Sequence, residues 1–216
     1  MNNIPHLLLA AGTSKRMGEP KQLLRWGNKS LIQFQMDTIA PTSDQFYVTL
    51  GAYADLIEPL LKSSNAEVIR NEYWENGMGN SLAFSIQQIL QSNRITDGVL
   101  ISLIDQPLVT TSHYLKMRAV FEKGKKQIIV SESDLGWLGV PVLFDAHYFE
   151  ELQSLSGEEG AKKMIKKYSK NTTLVKAGKT LVDMDTPDMY RKLHNEFRNR
   201  YGDKENRCRL VREKRN

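Results

Sequence analysis

Cysteine and long apolar runs are almost absent from this chain of 216 residues. Its one cysteine, Cys208, cannot form a disulfide within the chain, which fits a reducing compartment. No apolar run approaches the roughly 20 residues that a membrane-spanning helix needs. Residues 1–6 lack the basic start of a secretory signal, and the apolar stretch after them is short. We therefore expect a cytoplasmic protein without a membrane segment.

Several familiar catalytic patterns are missing as well. The chain contains neither the G-x-x-x-x-G-K-[ST] loop of P-loop enzymes nor the G-x-G-x-x-G turn of dehydrogenases. It also lacks the G-x-S-x-G elbow that carries a nucleophilic serine. Its four histidines are too far apart in the sequence to indicate a zinc site; they are His6, His113, His147 and His194. These absences disfavour kinases, dehydrogenases, serine hydrolases and zinc enzymes.

A net positive charge is present only at the C-terminus. The net charge is +5, but residues 191–216 hold ten basic and four acidic side chains, so the first 190 residues carry −1. The body of the protein therefore has no general affinity for polyanions, and we do not expect nucleic acid as a partner. We predict one domain over residues 1–196, followed by a basic, flexible tail over 197–216. A docking or RNA-binding arm is the alternative for the tail.

Apolar patterns predict alternating strands and helices along the body of the chain. Runs typical of buried strands lie near residues 5–10, 46–51, 66–70, 98–104, 127–131, 140–144 and 172–176. Helical periodicity is present over residues 31–39, 54–61, 81–90, 112–121 and 160–168. Such alternation predicts an α/β protein built as a three-layer α/β/α sandwich. Ligands of such sheets bind beyond the carboxyl ends of the strands.

A loop with the properties of a phosphate cradle follows the first predicted strand. Gly12 and Gly18 allow backbone angles that other residues avoid, so that amide groups can face an anion. Arg16 can bind two phosphate oxygens at once, and Lys21 adds a compact charge. The alternative is an ordinary strand-to-helix connection with solvated basic residues. The candidate phosphate-binding residues are Leu9, Ala10, Ala11, Gly12, Thr13, Ser14, Lys15, Arg16, Gly18 and Lys21.

Acidic residues after two other predicted strands are candidate metal ligands. Asp105 follows the apolar run that ends near residue 104, where a carboxylate can bind Mg²⁺ together with phosphate oxygens. Asp183 and Asp185 lie on the same side of an extended segment, so either can face a metal ion. The alternatives are a turn or helix cap at Asp105 and a helix start at Asp185.

A glycine-rich segment over residues 71–82 is a candidate for reading a nucleobase. Its glycines would let backbone groups approach the edge of a base, with polar side chains at the start of the next helix. A simple glycine turn with a serine cap is the alternative. The candidate residues are Asn71, Gly79, Asn80 and Ser81.

The whole of residues 9–21 resembles the signature L-A-x-G-x-S-x-R-M-G-x-x-K of the MobA-like nucleotidyltransferases. Every fixed position of that signature is present. The family includes the molybdenum cofactor cytidylyltransferases and guanylyltransferases, and the likeness extends over nearly all of residues 4–192. It implies the Rossmann-like fold of nucleotide-diphospho-sugar transferases, with a mixed, mostly parallel sheet.

The resemblance also implies roles for individual residues. The loop would hold the β and γ phosphates of a nucleoside triphosphate. Lys21, with Arg16, would stabilise charge at the α-phosphate and on the leaving pyrophosphate. The family's D-x-P step matches the residues from Asp105 to Pro107 and supplies a metal ligand, which makes Asp105 both a catalytic residue and a ligand of Mg²⁺. Its D-[IV]-D-T-P-E-D segment assigns the second ligand to Asp185, with Asp183 as the alternative.

The same resemblance indicates the substrates. Leu-Ala-Ala-Gly at residues 9–12 is typical of the cytidylyl branch, so we expect CTP rather than GTP. The acceptor would be a molybdopterin-type cofactor, with a molybdoenzyme or its chaperone as a further partner. We expect a monomer or a weak homodimer.

Two positions depart from the family pattern. Val140 replaces a common histidine in a G-H-P step, and Glu158 replaces the aspartate of a G-D-x-G-A loop. They keep open a sugar-phosphate or other phosphorylated acceptor. A non-catalytic cofactor carrier is the more distant alternative.

Overall fold

A single mixed sheet forms the centre of the computed structural model, which describes residues 2–92, 96–158 and 160–199. Its seven strands have the spatial order β5-β4-β1-β6-β8-β7-β9. They are β1 (His6–Ala10), β4 (Phe46–Leu50), β5 (Glu67–Arg70), β6 (Gly98–Leu103), β7 (Ile128–Ser133), β8 (Leu138–Asp145) and β9 (Thr172–Gly178). Each corresponds to one of the seven predicted strands. A separate short hairpin, β2 (Arg25–Trp26) and β3 (Lys29–Ser30), was not predicted.

The direction of the strands places several loops at one edge of the sheet. Strand β1 pairs in parallel with β4 and β6, and β4 pairs in parallel with β5. Strand β8 is antiparallel to both β6 and β7, whereas β9 is parallel to β7. The sheet is therefore mixed and mostly parallel, as predicted. The carboxyl ends of β1, β4, β5 and β6 lie together, and the phosphate loop follows β1 there.

Helices cover both faces of the sheet. They are α1 (Leu31–Ile39), α2 (Ala54–Ile57), α3 (Met78–Gln91), α4 (Thr111–Ala119), α5 (Phe149–Gln153), α6 (Gly160–Lys167) and α7, which spans residues 187–199. Successive side chains of a strand point to opposite faces, so Leu8 packs in one core with α1 and α4. Leu7 and Leu9 pack in a second core with α3, α5 and α6. The three-layer α/β/α sandwich is confirmed.

One predicted helix is shorter than its apolar pattern suggested. The periodicity predicted a helix over residues 54–61, but α2 ends at Ile57 and continues as a 3-10 helix over Glu58–Leu61. Pro59 lies in that second segment and has no backbone N–H for the α-helical hydrogen bond. The spacing of the apolar residues alone does not predict this change from α-helix to 3-10 helix.

The C-terminal helix continues past the predicted domain boundary. Residues 187–199 are helical, and the ring of Phe197 lies 5.2 Å from the rings of both Trp26 and Phe34, measured between centroids. Phe197 therefore packs with the folded domain, although the tail was predicted to begin there. Residues 200–216 lie outside the described residues, so their flexibility stays a prediction. Within the described part of the chain, no helix has the length and apolarity needed to cross a membrane.

Two buried histidines predict a loss of stability in acid. His6 has no exposed surface, and its ring nitrogens lie 3.2 Å from Thr42 Oγ1 and 2.9 Å from Ser102 Oγ. Burial, reinforced by the charge of Arg118, lowers the pKa of His6 from 6.5 to about 3. Burial and Lys116 similarly lower the pKa of His113 to about 4. Both side chains are therefore neutral in the folded protein over a range in which the unfolded chain is protonated.

Because the unfolded state binds more protons at these two positions, the stability that His6 and His113 contribute is complete above pH 6.5 and is lost as the pH is lowered towards 4. Each histidine contributes a slope of about 1.4 kcal/mol per pH unit. Urea unfolding at pH 7, 6, 5 and 4 measures this slope. The variant His6→Gln should flatten it, whatever its stability at pH 7. An unchanged slope would contradict the role of His6.

Candidate active site

The backbone of the loop after β1 is held by hydrogen bonds to its carbonyl groups. Ala11 O accepts from the amide of Ala52 at 3.1 Å, and Thr13 O accepts from the hydroxyl of Tyr53 at 3.2 Å. Ser14 O accepts from the amide of Met17 at 2.8 Å. The turn between β4 and α2, which the sequence analysis did not single out, therefore supports the loop from behind.

Gln22 holds two further carbonyls of the same loop. Its Nε2 donates to Ala10 O at 2.6 Å and to Gly12 O at 3.3 Å, and the residue is only 1% exposed. Five consecutive carbonyls, those of residues 10–14, thus accept hydrogen bonds from the protein. Gln22 was not predicted as a site residue, since it lies one position beyond the signature and nothing in its type indicates the contact.

The amide groups of the loop are left available. The N–H groups of residues 12–16 donate to no acceptor within the described part of the chain. Ser14 has a positive φ of 58°, unusual for a residue other than glycine, and Gly18 has a φ of 80°. A run of free amides in such a curved segment forms a concave site for an anion. The backbone geometry therefore supports the predicted phosphate-binding role of the loop.

A glycine missed by the sequence analysis allows the close approach of the supporting turn. A Cβ atom at Gly51 would lie 2.6 Å from Ala11 O and 2.6 Å from the Cβ of Trp74. Both distances are far below van der Waals contact. Any larger residue at this position would displace the loop or the tryptophan beside it.

Two basic and two acidic side chains meet beside the loop. Lys21 Nζ lies 2.6 Å from Asp185 Oδ1 and 3.4 Å from Asp105 Oδ2. Arg16 Nη2 lies 2.8 Å from Asp185 Oδ2. The Lys21 side chain is 8% exposed, whereas that of Arg16 is 71% exposed. The structure therefore brings together four residues that are up to 169 positions apart in the sequence.

Backbone contacts explain how the distant carboxylates converge. Asp105 follows β6, which pairs with β1 through Leu9 and Leu103. The amide of Met184 donates to Asp105 O at 2.8 Å and fixes the C-terminal segment beside β6. Asp183 does not share the position of Asp185, because its Oδ1 accepts from Gln106 Nε2 at 3.0 Å. Of the two acids considered as the second ligand, Asp185 is the one in contact with Lys21.

The surroundings shift the pKa values of the two carboxylates in opposite directions. Burial raises the pKa of Asp105 to about 6; the nearby Lys21 opposes this shift, whereas Asp183 and Asp185 add to it. Burial would also raise the pKa of Asp185, but hydrogen bonds and charges from Lys21 and Arg16 outweigh it, so the net shift is downward. Asp105 Oδ1 is buried and has no hydrogen-bond partner among the described residues.

This donor set suits a hard cation such as Mg²⁺. Asp105 and Asp185 offer carboxylate oxygens, and Mg²⁺ is commonly bound by one or two carboxylates with substrate phosphates. The unpaired Oδ1 of Asp105 is one free acceptor for it. Among the described residues no group of three or more His, Cys, Asp or Glu side chains forms a metal cage. A complete site would therefore need oxygens from a substrate.

The carboxylates and the loop line a cleft of about 700 Å³. This volume lies within the range typical of small-molecule sites. One wall is formed by the segment after β5 and the start of α3, and Glu158 lies in the loop that packs against this wall. The lining residues outside the loop are Gln22, Trp74, Glu75, Gly77, Met78, Ser81, Leu103, Ile104, Asp105, Glu158 and Asp185.

A model of the MobA-like NTP transferase domain matches residues 6–172, which is most of the chain. The chain belongs to this family. The match includes the phosphate loop and Asp105, whereas Asp185 lies beyond its end. The predicted family assignment is confirmed.

Two proteins illustrate the similarity at the level of whole chains. Purine catabolism protein PucB of Bacillus subtilis is 27% identical over 202 residues, which cover 86% of this chain and 95% of that protein. The crystal structure of Rv0371c from Mycobacterium tuberculosis is 27% identical, with a TM-score of 0.75 and coverage of 90% of this chain and 98% of that one. Rv0371c has also been solved in complex with manganese, where the TM-score is 0.69, the identity 26% and the coverage 90% and 98%.

Within this MobA-like cleft, the predicted base-reading residues occupy different positions. Ser81 lines the cleft. Asn71 is buried behind it, where Nδ2 donates to Ser81 Oγ at 3.0 Å and to Asn80 Oδ1 at 3.2 Å. Gly79 donates its amide to Gly157 O at 2.7 Å. Asn71, Gly79 and Asn80 therefore hold the wall of the cleft, and direct contact with a base stays a prediction for all four.

The wall of the MobA-like cleft is also locked to the loop that carries Glu158. Gly77 has a φ of 96°, and a Cβ atom there would lie 2.5 Å from the backbone of Gly157. The candidate base-reading segment and the loop that carries Glu158 are thus packed against each other. Val140 lies in β8 and packs against the second core. It is not among the residues that line the cleft.

Proposed function

We propose that this protein transfers a cytidine monophosphate group from CTP to a phosphorylated acceptor, the molybdenum cofactor, with release of pyrophosphate. The observation that carries the proposal is the convergence of Lys21, Arg16, Asp105 and Asp185 beside a loop of free amides. Cations and amides of this kind bind the phosphates of a nucleotide. Membership of a nucleotide transferase family supports the same reaction.

The proposed chemistry needs neither a protein nucleophile nor a strong base. An oxygen of the acceptor phosphate, already ionised, attacks the α-phosphorus of CTP. One P–O bond forms there, the bond between the α-phosphorus and the bridging oxygen breaks, and pyrophosphate leaves with the electron pair. The protein contributes position and charge. The amides of residues 12–16 would hold the β and γ phosphates.

Lys21 is the residue best placed to act on the reacting phosphate. Its ammonium group is almost buried, so its charge is weakly screened by water and strong towards a phosphate in the cleft. Arg16, which is exposed, can fold onto the outer phosphates. Both now pair with Asp185 and would exchange this carboxylate for phosphate oxygens.

Asp105 and Asp185 would hold Mg²⁺. When bound, this ion supplies positive charge to the phosphate oxygens. The pair of carboxylates also positions Lys21 before substrate arrives, since both accept from its Nζ. The complex of Rv0371c with manganese supports a divalent ion in a protein of this kind.

The choice of substrates rests on the family resemblance. Leu-Ala-Ala-Gly at residues 9–12 supports CTP over GTP, and the similarity to PucB supports the branch of the family to which we assign the chain. A molybdoenzyme or its chaperone would receive the product in the cytoplasm. A sugar phosphate or another phosphorylated alcohol is the second candidate acceptor. It is favoured by Glu158, which lines the cleft in place of the family's aspartate.

Thermal denaturation with each of the four nucleoside triphosphates and Mg²⁺ tests the proposed nucleotide. A ligand that binds only the native state at 100 times its dissociation constant adds about 2.7 kcal/mol of stability, or roughly 5 to 10 °C for a chain of this size. We expect this shift with CTP and a smaller one with GTP, ATP and UTP. A larger shift with GTP would overturn the assignment to the cytidylyl branch.

Pyrophosphate release tests the reaction and the acceptor separately. Purified protein, CTP and Mg²⁺ are incubated with molybdenum cofactor, with inositol 1-phosphate as a sugar-like acceptor, or with no acceptor. Release that requires molybdenum cofactor supports the proposal, whereas release with inositol 1-phosphate supports the second candidate. Binding of CTP and cofactor without any release would show a carrier instead of an enzyme.

A further inference from the structure

Gln22 is a buried polar residue whose side chain faces the phosphate loop. It lies in the 3-10 helix Lys21–Leu23, directly after Lys21, and it lines the floor of the cleft. Both of its contacts are made by Nε2, which donates to Ala10 O and Gly12 O. The side-chain amide of Gln22 therefore bridges two carbonyl groups that are separated by one residue of the loop.

These two hydrogen bonds fix the direction of two amide groups. In a trans peptide the carbonyl and the following N–H point in opposite directions. Because the carbonyls of Ala10 and Gly12 point towards Gln22, the N–H groups of Ala11 and Thr13 point away from it. Ala11 and Thr13 both line the cleft. Gln22 thus supplies two of the five hydrogen bonds that hold the carbonyls of residues 10–14.

The same side chain carries an energetic penalty. Its Oε1 is buried and has no hydrogen-bond partner among the described residues. A buried acceptor without a partner destabilises the folded state. Methionine is similar in length and has no such oxygen, but it also lacks the donor to Ala10 O and Gly12 O, so the two effects on stability oppose each other. The glutamine is therefore explained by its two donated hydrogen bonds rather than by packing.

We propose that Gln22 is a positioning residue that presets the phosphate loop for a triphosphate. It acts through the backbone and touches no reacting atom. The inference rests on the proposed function to the extent that the loop binds phosphates. It goes beyond the proposed function because it attributes the conformation of the loop to Gln22, which lies outside the signature of residues 9–21.

The test compares Gln22→Met with the unaltered protein. Calorimetric titration with pyrophosphate, and with CTP and Mg²⁺, should show dissociation constants about tenfold higher. This is the change expected when the loss of one or two hydrogen bonds leaves the free loop less ordered. The KM for CTP should rise by a similar factor, while the KM for the acceptor stays unchanged. The variant should stay folded, because removal of the orphan oxygen offsets part of the loss of the two hydrogen bonds.

Gln45→Met is the matched control. Gln45 also has a buried Oε1 without a partner among the described residues, but it precedes β4 at the opposite edge of the sheet. This variant should leave both binding and KM unchanged. Unaltered pyrophosphate and CTP binding by Gln22→Met would overturn the inference, and so would unfolding of that variant or a parallel rise in the acceptor KM. If the unaltered protein binds neither CTP nor pyrophosphate, the proposed function itself fails.

Discussion

Replacing Lys21 with methionine is expected to lower the rate of pyrophosphate release by about 10²- to 10³-fold, the usual effect of losing one preorganised charge stabiliser. Lys21 Nζ lies within 3.4 Å of both carboxylates and is nearly buried, so no exposed cation can take its position. Methionine keeps most of the side-chain volume. We therefore expect kcat to fall while the variant remains folded.

Metal binding separates this effect from general damage to the site. Lys21 occupies the oxygens that a metal would use, so its removal should leave the affinity for Mn²⁺ equal or higher, as measured by titration. Lys29→Met is the control, because Lys29 forms an exposed ion pair with Asp37 away from the cleft. A variant of Lys21 that turns over normally would remove this residue from the mechanism.

Replacing Asp105 or Asp185 with asparagine is expected to have the second large effect. Each change removes one of the two carboxylates that fit Mg²⁺, and the affinity for Mn²⁺ should fall by about 10²-fold or more, beyond the 10- to 100-fold typical of outer-shell partners. Loss of several kcal/mol of charge stabilisation lowers turnover by about 10²-fold or more. Equilibrium titration with Mn²⁺ measures the first effect without any need for activity.

Asp183→Asn is the matched control for these two variants. Asp183 is two residues from Asp185, but its carboxylate accepts from Gln106 and not from Lys21. Its replacement should leave Mn²⁺ affinity and turnover nearly unchanged. Equal losses in the Asp183 and Asp185 variants would show that the metal position has been assigned to the wrong carboxylate.

The sequence was most informative where residues close together in the chain determine the local backbone geometry. Residues 9–21 contain the glycines, the small residues and the cations of the phosphate loop within thirteen positions. Asp105 and Asp185 each follow a recognisable apolar or acidic pattern. All of these residues lie at the predicted edge of the sheet, and both carboxylates contact Lys21.

Residues whose role depends on distant partners were placed less well. The sequence did not indicate that the amide of Asn71 holds Ser81 and Asn80, and its contact with a base stays a prediction. Gly51 and Gln22 were not considered, because the need for a glycine or an amide arises from the loop that packs against them. Phe197 was assigned to the tail, because no local pattern shows that Trp26 and Phe34 lie beside it.

The sequence by itself determined the three-layer fold and the family, and it named the charged residues that meet beside the loop. Those properties follow from periodic burial and from residue types within short segments, which are local features. The tertiary structure alone decided that Asp185 rather than Asp183 meets Lys21, and that five successive carbonyls of the loop point into the protein. Both results depend on contacts between segments far apart in the chain, where small differences in backbone position select one hydrogen-bond partner over another.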